Sequence, residues 1–182
     1  DHRDEGRLRA GAGRGRHGEQ RHSGLLAFLH ADAGRRCAVI CSTQRDDLGG
    51  VDVEPAVRAA YDKARSAIAA MRQHFPGKRL VVVFEPHTFS WRNRATLHWY
   101  DDAFAGAAQV FVWHPAQQGA GTHEQVGQDE IVARIRAAGF DARALGDADA
   151  AVEAIGASLG DDSAVLFLTS GPLGGLIESV PA

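Results

Sequence analysis

The stretch that decides the fold is Leu80 to Arg94, LVVVFEPHTFSWRNR. Leu80 to Phe84 is an unbroken apolar run. A half-buried strand alternates apolar and polar residues, whereas a strand covered on both faces, as in a parallel sheet, does not. Glu85-Pro86 ends the run, because proline has no N–H to give to a sheet ladder. A polar loop follows, carrying His87, Ser90, Arg92, Asn93 and Arg94. In open α/β sheets ligands bind at the loops after strand C-termini, so this loop is the first place to look for a site.

Outward from this strand the pattern alternates. Upstream, Leu25–Leu29 is a short apolar stretch, Arg36–Thr43 reads as a strand, and Asp46–Gly50 is a polar turn. Across Glu54–Phe75 the apolar residues Val57, Tyr61, Ala64, Ile68 and Met71 step by three or four, which predicts a helix. Pro55 beside Glu54 suits its first turn, and Pro76-Gly77 stops it. Downstream, Thr96–Ala105 is expected to be helical, with Leu97, Tyr100 and Phe104 on one face. Gln109–Trp113 is a second buried strand, and a Gly- and Gln-rich loop then runs to about Thr122. Gln128–Ala138 is a helix capped by Gly139, and Phe140–Leu145 is a weaker strand. Asp147–Leu159 is a helix with an acidic first turn, Ala164–Thr169 a third strong strand, and Leu176–Val180 the start of a last helix. Such alternation predicts an α/β fold: a Rossmann-like, doubly wound, mostly parallel sheet with helices on both faces and right-handed crossovers.

Composition bounds what the chain can be. Its 182 residues suit one domain, placed at residues 25–182. Residues 1–24 are dense in Arg, Gly and His, with Leu8 their one large apolar side chain. They cannot bury enough surface to offset chain entropy, and read as a disordered or non-native segment. An RNA-binding arm is the functional alternative, but no aromatic residue is interleaved for base stacking. The formal net charge of -3 gives no global pull toward nucleic acid or anionic membrane. No apolar run reaches the roughly 18 residues of a spanning helix, and no secretory leader pattern is present. Cys37 and Cys41, four apart on a predicted strand, would stand about 13 Å apart, too far for a disulfide. Free thiols in a reducing cytoplasm are expected, with a redox role as the alternative.

Few motifs carry chemistry on their own. The glycines after Thr169 could turn backbone N–H groups toward an anion, but they lack G-x-G-x-x-G spacing, and no G-x-x-x-x-G-K-[ST] phosphate loop occurs. His87, His98, His114 and His123 lack the close pairing of metal ligands, so no metal site is expected. His87 with Ser90, Arg92 and Arg94 would suit a carboxylate or phosphate, or else forms a solvated basic loop. Asp101 and Asp102, adjacent on a helix, point to different faces. Trp91, Trp99 and Trp113 are expected to serve packing.

Taken together these units resemble a known family. VVVFEPHTFSWRNRATLHWYDDAF is similar to the C-terminal domain of the Mur ligases, the ATP-dependent amide ligases of peptidoglycan precursors. The muramate-type members carry a strand ending in Q/E-P-H/R, a Ser/Thr- and Arg-containing loop, and an Asp-Asp-containing helix. Pro86, His87, Ser90, Arg92, Arg94, Tyr100, Asp101, Asp102 and Phe104 match that pattern. VFVWHPA and LFLTSGPLGGLIESV resemble the next strand and the closing strand, glycine loop and helix. Gly34-Arg35-Arg36 and Asp46-Asp47 resemble the family's upstream Arg-Arg-aromatic and Asp-Asp-aromatic-Ala/Gly-His-His-Pro motifs. Here Cys37 replaces the first aromatic, and Leu48-Gly49-Gly50-Val51 follows the aspartates. Tyr100-Asp101-Asp102 with Phe104 leans toward the L-alanine-adding branch, and Phe84-Glu85-Pro86 with Leu173-Gly174-Gly175 toward the murein peptide branch.

The resemblance implies a lid domain. Family members turn a UDP-muramoyl carboxylate into an acyl phosphate with ATP and Mg2+, and an incoming amino acid or peptide amine displaces phosphate. Arg36 and Asp47 would be nucleotide contacts, and His87, Ser90, Arg92 and Arg94 would line the amine-substrate side. ATP and Mg2+ would be held mainly by a central domain with no counterpart in this sequence, so catalytic residues are not expected here. A free-standing Rossmann-like small-molecule binding module is the competing expectation.

Overall fold

The computed structural model describes residues 26–31, 36–41, 54–115 and 125–180. The expectations for residues 1–24, for the turn at 46–50 and for the loop at 116–124 lie outside them. Six strands form one sheet: β1 (Leu26–Ala31), β2 (Arg36–Cys41), β3 (Arg79–Phe84), β4 (Gln109–Val112), β5 (Ala142–Ala144) and β6 (Ser163–Thr169). Their spatial order is β1-β2-β6-β3-β4-β5. Every neighbouring pair is parallel except β1 with β2. The sheet is mostly parallel as expected, with an antiparallel edge strand that Leu25–Leu29 alone did not announce. Cys37 and Cys41 lie on β2, opposite His30 and Leu26 of β1.

The Leu80 run explains the layering. Alternate residues of a strand point to opposite faces, so an unbroken apolar strand feeds two cores. Leu80, Val82 and Phe84 join one core with Tyr61, Ile68 and Met71 of α1 (Glu54–His74) and with Ile131 and Ile135 of α4 (Gln128–Ala137). Val81 and Val83 join the other, with Ala151 and Ile155 of α5 (Ala148–Ser158) and Leu176 of α6 (Leu176–Ser179). Phe111 and Phe167 belong to this second core. Fully burying a side chain of this size stabilises the fold by about 1.5–3 kcal/mol. Helices therefore cover both faces, as the continuous apolar strands require.

The segment after β3 departs from expectation. In place of one helix over 96–105 there is α2 (Phe89–Arg92), a 3₁₀ segment (Arg94–Trp99) and α3 (Tyr100–Ala103). Asn93 causes the break. Its backbone is extended at φ -83° and ψ 120°, and its side chain accepts from Ala95 N at 3.0 Å, restarting the chain as a new helical turn. Asn93 also forms an isolated bridge with Gln125. The apolar face survives the break, because Tyr100 and Phe104 are fully buried. Asp101 and Asp102 are exposed and diverge as expected, Asp101 pairing with Arg134 of α4 and Asp102 with Arg65 of α1. Trp91 and Trp113 pack in the two cores, and Trp99 is half-buried under the Arg58 guanidinium.

Candidate functional site

The sheet order creates a switch point. β3 leads away to β4 through α2 and α3 on the first face, while its neighbour β6 leads to α6 on the second face. Adjacent parallel strands whose exits diverge leave a crevice beyond their C-termini, the usual ligand position in open α/β sheets. Glu85 and His87 follow β3 here, and Thr169, Ser170 and Gly171 end or follow β6.

Glu85 organises this edge. Its backbone N–H donates to Leu168 O at 3.0 Å, extending the β3–β6 ladder, and its side chain is 5% exposed. A buried carboxylate needs donors. Glu85 Oε2 accepts from the Thr169 hydroxyl and, at 3.3 Å, from Leu173 N. Oε1 stands 3.4 Å from His87 Nδ1. The glycine loop's anion is thus the protein's own: Leu173 N, the amide that could have met a ligand phosphate, faces Glu85. Gly171 closes over this pair, since a Cβ there would stand 2.6 Å from His87 Nδ1 and 3.0 Å from Glu85 Oε2. Leu173 at φ 48° and Gly174 at φ 59° make the left-handed turn that carries the chain from β6 into α6.

A small cleft opens beside Glu85. Its floor is Ala60, Ala64, Phe84, Trp91 and Leu168, and its polar lining is Lys63, Glu85, Thr169 and Ser170. Room for the centres of water-sized groups amounts to about 20 Å³.

The residues singled out in the sequence do not all meet here. His87 is at the switch point, one-fifth exposed. Ser90 is half-buried in α2, its carbonyl accepting from the Thr96 hydroxyl at 3.4 Å. Arg92 is buried and donates to Gln125 Oε1 at 2.6 Å, while its carbonyl accepts from Val126 N at 2.9 Å. Arg94 makes a two-pronged pair with Glu130 of α4, NH2 reaching Oε2 at 2.8 Å. Arg92 and Arg94 therefore face the α4 side, and His87 faces β6. Arg36 begins β2 and pairs with Val165 of β6, four residues before Thr169 and so away from the strand C-termini, and Asp47 is outside the described residues. His98 and His114 are exposed, and among the described residues no three His, Cys, Asp or Glu are grouped to hold a metal ion. No described helix is long and apolar enough to cross a membrane. Sequence reasoning missed Lys63, Glu85 and Thr169 as site residues. The one available clue was a glutamate directly at the end of a doubly buried strand, where a charge needs a stated partner.

No family model matches the chain. Over 67 residues it is 45% identical to the UDP-N-acetylmuramate--L-alanine ligase of Lactobacillus johnsonii, a match covering 37% of this chain and 14% of that protein. Over 114 residues it is 34% identical to the enzyme of the same name from Roseiflexus sp., covering 60% of this chain and 23% of that protein. The chain is thus similar in sequence to ligases of the Mur family over part of its length. Its fold agrees with that of the solved murein peptide ligase from Psychrobacter arcticus, with a TM-score of 0.55 and 11% identity over 85% of this chain and 29% of the other. The matched stretch spans a quarter or less of the curated relatives.

Proposed function

We propose that this chain carries the C-terminal, substrate-closing domain of a cytoplasmic ligase of peptidoglycan synthesis or recycling. The complete enzyme would join an amino acid or peptide amine to a UDP-muramoyl carboxylate through an acyl phosphate. The similarity to two UDP-N-acetylmuramate--L-alanine ligases carries this reading. The switch-point crevice supports it, because it offers a preformed edge that can close over a second domain. In the complete enzyme ATP would supply the phosphoryl group and Mg2+ would balance its charge. ATP and Mg2+ would be held mainly by a central domain of the complete enzyme. The role left to this domain is to position and to exclude water. In the closed enzyme His87, Ser90, Arg92 and Arg94 would line the amine-donor side, and Arg36 and Asp47 would contact the nucleotide. Closure shields an acyl phosphate that water would otherwise hydrolyse, and a fixed amine donor replaces a bimolecular encounter.

The test is phosphate release by the complete enzyme with ATP, Mg2+, UDP-N-acetylmuramate and L-alanine or a muropeptide amine. Amine-dependent turnover by the complete enzyme, with none by the 182-residue chain alone, is the expected result. Turnover by the chain alone, or none by the complete enzyme with any such amine, would overturn it. A free-standing small-molecule module is the second reading, favoured by a cleft built wholly from residues of this chain.

A further inference from the structure

The chain turns sharply as it leaves β3. His87 N donates to Glu85 O at 2.8 Å, a bond that closes a three-residue turn over Pro86. The proline ring fixes φ in the range such a turn needs. The turn brings the His87 side chain beside that of Glu85, with Nδ1 standing 3.4 Å from Oε1. The other carboxylate oxygen is already committed, because the Thr169 hydroxyl and Leu173 N both donate to Oε2. Oε1 is therefore the oxygen that meets the ring. Gly171 packs against the same edge of the imidazole, since a Cβ there would stand 2.6 Å from Nδ1 and 2.7 Å from Cε1.

This contact decides where the ring carries its proton. A neutral imidazole has one N–H and one lone pair, and a carboxylate only accepts. With the proton on Nε2, the Nδ1 lone pair would face the lone pairs of Oε1. With the proton on Nδ1, the same contact is a hydrogen bond, and the partner of one ring nitrogen thereby sets the state of the other. Nε2 is then the acceptor of the neutral ring. The side chain is one-fifth exposed at the switch point, so an acceptor is what the neutral ring brings there, whereas an anion would need a donor.

We infer that Glu85 is a positioning residue for His87. It holds the imidazole as the Nδ1–H tautomer, and Thr169 and Leu173 N hold Glu85 in turn. The role is exerted through the ring. As a statement about turnover the inference rests on the ligase reading above; as a statement about the ring it stands without it.

The experiment is long-range 1H–15N NMR of the histidine rings in the 182-residue chain, recorded at a pH above the end of the His87 titration. The wild-type ring carries its proton on Nδ1. In Glu85→Gln the amide oxygen still accepts from Thr169 and Leu173 N, while the amide NH2 donates to Nδ1, so the proton moves to Nε2. A wild-type proton on Nε2, a wild-type mixture of both tautomers, or the same tautomer in Glu85→Gln would each overturn the inference, and the wild-type spectrum decides even if the variant does not fold. In the complete enzyme, Glu85→Gln and His87→Ala each lower amine-dependent kcat/KM by roughly tenfold, the loss of one hydrogen bond. The double variant falls no further than His87→Ala alone, because Glu85 acts through the ring. Losses that multiply would make Glu85 merely structural and overturn the positioning role. Absence of turnover by the complete wild-type enzyme removes the ligase reading and leaves the tautomer result standing. Turnover with the wild-type proton on Nε2 does the reverse.

Discussion

The Thr169 hydroxyl, at the end of β6, donates to the Glu85 carboxylate, just past the end of β3. Both residues are buried, at 3% and 5% exposure, so the bond forms where water cannot replace it. The same hydroxyl oxygen accepts from Gly171 N at 2.9 Å. One threonine therefore ties the loop after β6 to the loop after β3. Thr169→Val, which keeps the shape, should destabilise the domain by about 1.5–3 kcal/mol, the cost of leaving a buried charge short of a donor. Urea unfolding should show a lower midpoint at unchanged slope. In a Glu85→Leu background the same substitution should cost clearly less, and equal costs in both backgrounds would refute the coupling.

Gly171 sets the position of His87. An alanine methyl would overlap the imidazole at 2.6 Å, so the ring must turn away from Glu85. Gly171→Ala should cost about 1–3 kcal/mol of stability, the usual range for overpacking. It should also shift the His87 ring resonances in an NMR spectrum, and unchanged His87 shifts would contradict the contact.

Two buried tyrosines should respond differently to loss of the hydroxyl. Tyr100 OH donates to Trp91 O at 2.6 Å. Among the described residues the buried Tyr61 OH has no hydrogen-bond partner. Its neighbours Thr96 and Tyr100 spend their own protons on Asn93 O and Trp91 O. Tyr100→Phe should therefore destabilise by about 1–2 kcal/mol, and Tyr61→Phe should be neutral or stabilising. Thermal melts of the two variants decide, and a larger loss from Tyr61→Phe would show a bond that this geometry lacks.

The same burial predicts an alkaline limit. Burial raises the pKa of both Tyr61 and Tyr100 above the ordinary value of 10.0. Below pH 10 both rings are protonated folded and unfolded, so their contribution to stability is complete. Above it the unfolded chain releases protons that the folded chain holds, and stability falls as pH climbs toward the folded values. Urea midpoints should be level with respect to these groups up to about pH 10 and decline beyond it. Tyr100→Phe should flatten the decline, and an identical slope in that variant would exclude the tyrosine.

Arg94 separates binding from stability. Its pair with Glu130 is 42% and 34% exposed, a setting in which ion pairs contribute only about 0–1 kcal/mol. Arg94→Ala should barely move the melting temperature. If Arg94 meets the carboxylate of the amine donor in the closed enzyme, the variant should raise the KM for that substrate by about tenfold or more while leaving the KM for ATP unchanged. An unchanged amine KM would return Arg94 to a surface pair.

The sequence by itself determined the layers. Unbroken apolar runs at 80–84 and 164–169 can only be satisfied by cover on both faces, and the three-to-four spacing along α1 supplies part of that cover. Helix and strand existence follows from such local periodicity. The break at Asn93 does not, because an asparagine side chain capping Ala95 N competes with helix continuation at nearly equal local cost. Likewise β1 is apolar in sequence, but its antiparallel pairing with β2 is a long-range choice. The site was legible in half. His87 could be placed at a strand end from Pro86 alone, whereas the partners of Arg92 and Arg94, Gln125 and Glu130, come from a segment more than 30 residues away. Only the tertiary structure decided that β6 inserts beside β3. That insertion puts Thr169, 84 residues distant, on Glu85 and makes a buried charge tolerable, because a carboxylate out of water is stable only where folding delivers its donors.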